Sequence, residues 1–392
     1  MTANAAAAGG MKREISLESF VFPVLFIGFF ALFTTKMGVA NTLNTMMNTA
    51  YSLMMDTVLY LVAISVLMGA ISALFSEFGL VTLINRLLSP LMKPLYGLPG
   101  AASLGIVTTY LSDNPAVLTL AEDKYFCRFF KAYQLPALTN LGTAFGMGLI
   151  VAAFMLSQEA LTGESYLLPV LVGTMGAVVG SIISTRLMLV FTAKRYGKDA
   201  PAYDDAGNGA YEHMRPVREG SVSNRLIGAL LDGGKSGVQL GVSIVPGVLV
   251  ICTFVLMLTN GPSENGLYTG AAYEGIAVLP WVAEKISFIL TPLFGFSSPE
   301  NIAVPVTALG AAGAAISLVP HLIGSGQAAG GDVAVFTAMC MCWSGYLSTH
   351  ISMMNNLNAK DMIGKAILTH TIGGLFAGIS ACWIYRLLAM VM

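Results

Sequence analysis

Leu91-Met92-Lys93-Pro94-Leu95-Tyr96-Gly97-Leu98 is echoed far downstream by Phe288-Ile289-Leu290-Thr291-Pro292-Leu293-Phe294-Gly295-Phe296. The shared core is Pro-Leu-aromatic-Gly-apolar. Upstream, Ser65-Val66-Leu67-Met68-Gly69 matches Ser243-Ile244-Val245-Pro246-Gly247. Downstream, the Gly-rich stretch ending at Arg186-Leu187 matches the one ending at Arg386-Leu387. Three matches in one order mark an internal repeat. One copy occupies 50–196 and the other 236–392. Residues 1–49 supply an N-terminal tail and a first span, and 197–235 a cytoplasmic linker carrying Gly, Pro and mixed charge.

The composition says what such a repeat is made of. Of 392 residues, 55% are hydrophobic and only 10% charged, and the mean hydropathy is +0.73. A soluble domain carries about a quarter charged residues. Soluble enzymes are therefore excluded, as are disordered chains, which need high polarity. Twenty basic residues against 21 acidic ones leave a net charge of −1, so a nucleic-acid partner, which needs a basic face, is excluded too. The expected class is an all-α polytopic protein of the lipid bilayer, with 42 glycines to let helices approach.

A span needs roughly 20 apolar residues. Stretches 16–36, 50–76, 133–157, 165–192, 236–259, 331–354 and 365–388 qualify. The first is read as an uncleaved anchor or a signal peptide. Segments 95–121 and 291–325 are apolar but interrupted by prolines, which predicts re-entrant hairpins or broken helices. Each follows an amphipathic stretch, 78–94 or 276–291, placed either at the membrane surface or along a homo-oligomeric contact. With the N-terminus in the cytoplasm, 17 of the 20 basic residues fall inside, and only Lys36, Lys285 and Arg386 outside. That asymmetry follows the positive-inside rule. It predicts a multi-pass protein of a bacterial-type inner membrane, C-terminus outside.

Each copy reads span, amphipathic segment, hairpin, span, span. Three crossings per copy turn the second copy over relative to the first. Inverted repeats with broken segments at matching positions build secondary transporters. The expected substrate, a small polar molecule, binds between two hairpin tips that approach the midplane from opposite faces.

Three stretches carry a family resemblance: Pro-Leu-Tyr-Gly-Leu-Pro-Gly (94–100), Ser-Asp-Asn-Pro-Ala (112–116) and Pro-Leu-Phe-Gly-Phe-Ser-Ser-Pro-Glu-Asn (292–301). From about residue 50 onward the chain resembles proteins with the nucleoside-recognition, or Gate, domain. That group includes concentrative nucleoside transporters, the membrane part of ferrous-iron permeases and spore maturation proteins. The resemblance implies transport of a nucleoside-class solute, or else a non-transporting assembly protein of the spore-maturation kind. A different solute (organic anion, peptide or metal ion) stands beside these.

A carboxylate at membrane depth is costly and needs a reason. Asp113 sits beside Asn114 and Pro115, and Pro115 disfavours helix at Asn114. Freed carbonyls, with Ser112, Thr108 and Thr109, suit Na⁺, and the carboxylate suits a proton. The competing reading is a cap on the following helix. Ser297, Ser298, Pro299, Glu300 and Asn301 read as a helix start facing a polar substrate, or as an ordinary acidic first turn. Asn140 reads either a nucleobase edge or a neighbouring helix. His350 is either a proton relay or a satisfied interhelical side chain. Asp56 and Asp332, near span ends, are expected at the interface.

No catalytic residues emerge: there is no nucleophile–base set, and the chain is not expected to be an enzyme. Gly233-Gly234-Lys235-Ser236 lacks the spacing of a phosphate loop. Cys127, Cys252, Cys340, Cys342 and Cys382 are expected reduced and buried. Cys340-Met341-Cys342 lacks the partners of a zinc site. The expected cofactor set is empty, apart from a coupling Na⁺ or H⁺.

Overall fold

The computed structural model describes residues 14–122, 124–202, 217–263 and 265–391. Lys12, Arg13, His213 and Arg215 lie outside them. The described residues form helices and no strand. Among the described residues, six helical stretches are long and apolar enough to cross a membrane. The chain is an all-α polytopic membrane protein.

The first stretch, α1 (Glu18–Met37), is only 11% buried, and Phe20, Phe22 and Phe26 face outward as lipid-facing residues do, whereas Phe33 is buried. The second, α2 (Val39–Glu77), has 39 residues. At 1.5 Å per residue it is about 58 Å long, nearly twice the hydrocarbon thickness. Its early turns explain the excess. Asn41, Asn48 and Thr49 lie along them and hold the loop 260–277, Asn41 and Asn48 donating to the Tyr268 and Gly270 carbonyls at 2.9 and 2.8 Å. Thr49 accepts from the Tyr273 amide at 2.9 Å. Hydropathy placed this span at 50–76 because these polar residues mask the helix that precedes it.

After α3 (Leu80–Leu91), α4 (Ala102–Leu111) and α5 (Pro115–Glu122) form the first hairpin. The expected span 133–157 is broken into α6 (Ala137–Thr143) and α7 (Gly148–Ser157), and α8 (Leu167–Tyr196) follows. The long α9 (Val222–Thr259) begins inside the segment expected to be linker. Ser221 caps it by accepting from the Asn224 amide, and Gly233 to Ser236 lie within it.

Next come α10 (Val278–Lys285) and α11 (Ser287–Phe294). The second hairpin is built from α12 (Ala303–Ala308), α13 (Ala312–Ser317) and α14 (Val319–Gly324). The expected span 331–354 is split into α15 (Gly330–Cys342) and α16 (Tyr346–Asn356), each too short to cross alone. The last helix is α17 (Lys360–Ala389).

Two seams hold the halves together. In one, Gly233, Gly237 and Gly241 of α9 press on Gly69, Ser65 and Val62 of α2, with no room for a Cβ. In the other, Gly176 and Gly180 of α8 meet Ala377 and Gly373 of α17. At the end of the first seam, buried Glu77 receives Arg218 at 2.9 Å and Arg225 at 2.7 Å.

Left-handed backbone recurs at a fixed interval. Gly79 and Ala277, Gly97 and Gly295, and Met147 and Gly345 all have positive φ, and each pair is 198 residues apart. The spacing coincides with that of the Pro-Leu-aromatic-Gly echo.

Candidate functional site

The first hairpin turns at Ser112 to Asn114, where α4 stops and Pro115 begins α5. Proline has no N–H to lose at a first helical position. The second hairpin turns at Leu309 to Ala311. Helices α6 and α7 are interrupted at Ala144–Met147, and α15 and α16 at Trp343–Gly345. The two turns and the two breaks meet around one cavity of about 320 Å³. Asp113, Asn114 and Met147 line it, together with Gly310 to Ala314 at the turn of the second hairpin. Ser344, Gly345, Thr349 and Ser352 close it, with Ser243, Ile244 and Gly247 of α9. That volume fits a small metabolite.

Asn114 organises the centre. Its amide donates to Asp113 Oδ1 at 2.9 Å and to Ser344 Oγ at 3.2 Å. Its side chain lies against both Gly146 and Gly345, and a Cβ on either would overlap it. Its Oδ1 is buried without a hydrogen-bond partner. A buried carbonyl left open is costly unless something meets it. An acceptor beside a carboxylate is the donor set a hard cation or a substrate N–H or O–H would take.

Asp113 and Ser243 also line a second cavity, of about 480 Å³, between α2 and α9. Ser65, Ser72, Ser112, Ser236 and Gln239 give it polar walls. The Asp113 carboxylate thus stands where the two spaces meet.

The other expected residues lie apart from the first cavity. Thr108 and Thr109 donate back to the Leu104 and Gly105 carbonyls, and Ser112 to Thr108. Ser297, Ser298, Glu300 and Asn301 sit at the base of the second hairpin, eight or more residues before its turn. There Ser298 donates to Glu300. Ser297 donates to Asp332 through its amide at 3.0 Å and its hydroxyl at 2.6 Å, and Asn301 does so at 2.9 Å. Asp332, expected at the interface, is only 1% exposed. The reason is this set of donors, completed by the Ala329 amide at the start of α15.

Asn140 spends its amide on Ser184, Thr369 and the Ala366 carbonyl, tying α6 to α8 and α17. His350 is fully buried, bonds the Tyr346 carbonyl through Nδ1 and leaves Nε2 without a partner. Its ring lies 4.6 Å from that of His370. His370 is held between Ser184 and the Cys342 carbonyl. All five cysteines are buried, and none is joined in a disulfide. Among the described residues, no group of three or more His, Cys, Asp or Glu is placed to hold a metal.

The cavity residues that sequence reasoning missed are Leu118, Met147, Ser243, Ile244, Gly247, Gly310 to Ala314, Ser344, Gly345, Thr349 and Ser352. One signal was present: Trp343-Ser344-Gly345 interrupts an apolar run at the place where a helix would break.

No family model matches the chain. An uncharacterised protein of Alkalihalophilus pseudofirmus is 22% identical over 218 residues, 54% of this chain. The match spans only 46% of that relative's length. Solved structures of the concentrative nucleoside transporter CNTnw are similar in fold. A doubly substituted outward-facing form has a TM-score of 0.53 at 12% identity, covering 94% of this chain and 85% of that one. An intermediate state gives 0.52 at 14% identity, covering 93% and 84%. An inward-facing, substrate-bound form gives 0.50 at 14% identity, covering 82% and 73%. The chain shares the fold of these transporters. At such identities the likeness is one of fold alone.

Proposed function

We propose that this protein is a secondary active transporter of a small polar metabolite, and that the 320 Å³ cavity is its substrate site. One observation carries the reading: both hairpin turns and both helix breaks converge on one polar space. Irregular backbone at membrane depth is tolerated where it lines a cavity, and transporters place substrate there. A non-transporting scaffold has no need of this space; its hairpins would pack dry.

A nucleoside-class solute is the first candidate. The hydroxyls of Ser243, Ser344, Thr349 and Ser352 suit a sugar or a base edge. Likeness to transporters solved in outward-facing, intermediate and inward-facing states supports the reading. Asp113 and the open Asn114 carbonyl are the groups for a coupling Na⁺ or H⁺. The matched left-handed positions support two repeats over 50–196 and 236–392, and the distribution of basic residues supports an N-terminus inside and a C-terminus outside.

The test is uptake into proteoliposomes across a metabolite panel, with a Na⁺ or pH gradient imposed separately. Wild type should concentrate at least one solute under one gradient, and Asp113→Asn should abolish accumulation. Gradient-independent retention of every solute, unchanged by Asp113→Asn, would sink the reading.

A further inference from the structure

A second kind of site lies at the far end of α8. An open groove of about 580 Å³ is lined by Gly97, Tyr133, Arg186, Leu189, Val190, Ala193, Lys194 and Lys198. Three of these are cations, and no carboxylate is among them. The nearby acids are engaged elsewhere: Asp199 pairs with Lys131 at 3.9 Å, and Asp361 with Arg195 at 2.7 Å. Among the described residues lining the groove, no acidic side chain offsets this charge.

Arg186 is fixed in place. It donates to the Leu95 carbonyl through Nε at 2.8 Å and to the Pro94 carbonyl through Nη2 at 2.5 Å. Gly97 makes room for it; a Cβ there would come within 2.9 Å of Nη1. The other copy separates this structural task from a binding one. Arg386 likewise donates to the Thr291 carbonyl, at 3.2 Å, and lies against Gly295. The arginine thus serves the hairpin in both copies, which leaves Lys194 and Lys198 as the groove's other two cations. A helix C-terminus favours cations, but that preference needs neither a groove nor Tyr133 beside it.

We propose that this groove binds a phosphate monoanion or phosphodiester, of the kind carried by an anionic phospholipid headgroup. It lies on the side that the basic residues mark as cytoplasmic. Basic pockets between transmembrane helices on that side take such headgroups. Leu189, Val190 and Ala193 give the groove an apolar edge for the glycerol and first acyl carbons. Because Arg186 also grips the carbonyls ahead of the first hairpin, an occupied groove would brace that hairpin against α8.

The experiment uses the full chain in a neutral detergent, read by thermal shift and native mass spectrometry. Phosphatidylglycerol, phosphatidylcholine and inorganic phosphate are titrated separately. Wild type should bind phosphatidylglycerol in preference to phosphatidylcholine, and Lys194→Gln/Lys198→Gln should weaken that binding by about fivefold per lysine. Lys235→Gln, a basic residue of α9, serves as the control and should change nothing. Stabilisation by inorganic phosphate that the double variant loses supports the site with a free anion as occupant. Equal binding of both lipids, or phosphatidylglycerol binding that the double variant retains, together with no lysine-dependent phosphate effect, overturns it.

Discussion

The side chain of Asn114 rests against Gly345, so that the turn of the first hairpin is seated in the break between α15 and α16. Gly345 has φ near 65°, a conformation costing an L-residue about 1–2 kcal/mol. Gly345→Ala should therefore destabilise the protein by at least that amount and cut uptake by more than about tenfold, since misplacing positioned groups costs rate steeply. Adding Asn114→Ala should restore part of the thermal stability and none of the uptake. Recovery of both in the double variant would show that the contact is only steric.

Thr349 and Ser352 line the cavity, whereas Glu300 does not. Thr349→Val should raise the KM for the transported solute about five- to tenfold, the worth of roughly one hydrogen bond. Glu300→Gln should leave KM within about twofold, for lack of any such bond. The reverse order of effects would move the substrate to the base of the second hairpin.

Glu77 joins Arg218 and Arg225 where the α2–α9 seam ends. Glu77→Gln takes the shared carboxylate from both arginines and leaves Arg218 only its exposed pair with Asp232 at 3.0 Å. Its melting midpoint should fall further than that of an isolated surface variant such as Glu284→Gln, and added salt should narrow the gap by screening the arginines. A midpoint equal to wild type at low salt would show that the glycine seam suffices.

Glu274 tethers the loop 260–277 by accepting from the Thr269 and Gly270 amides and the Thr269 hydroxyl. Burial pushes its carboxyl up, but these donors together hold it below the usual 4.5. A depressed carboxylate contributes stability above its unfolded value, and that contribution is lost as pH falls through the folded one. The loop's docking on α2 should thus hold at neutral pH and weaken below about pH 4.5, the ordinary carboxylate range. Glu274→Gln should flatten that part of a stability–pH curve; an unchanged acid limb would assign it to other carboxylates.

Hydropathy suffices for the apolar spans because burial in lipid depends on side-chain polarity summed along a helix. It is blind to breaks such as Ala144–Met147, where the residues stay apolar and only the backbone changes. The same blindness hid half of the cavity. Gly310 to Ala314 carry no polar side chain, so nothing in their chemistry distinguished a turn from packing. The eye went instead to Ser297–Asn301, whose polarity proved to serve Asp332. Asp113 and Asn114 were legible because a carboxylate, an amide and a proline in an apolar run have few other uses. Asn140 was legible as polar, but a single sequence could not tell a substrate edge from the Ser184 and Thr369 hydroxyls.

The two seams have a consequence for how the protein can be assembled. The groups that join the halves, among them the glycines of α2 against α9 and α8 against α17 and Glu77 with Arg225, act through space, not along the chain. A break engineered between Ala202 and Val217 would leave all of these contacts intact. Residues 1–202 and 217–392, produced as two polypeptides in one membrane, should find each other and rebuild the cavity, so that one gene could be divided into two without loss of its product's architecture.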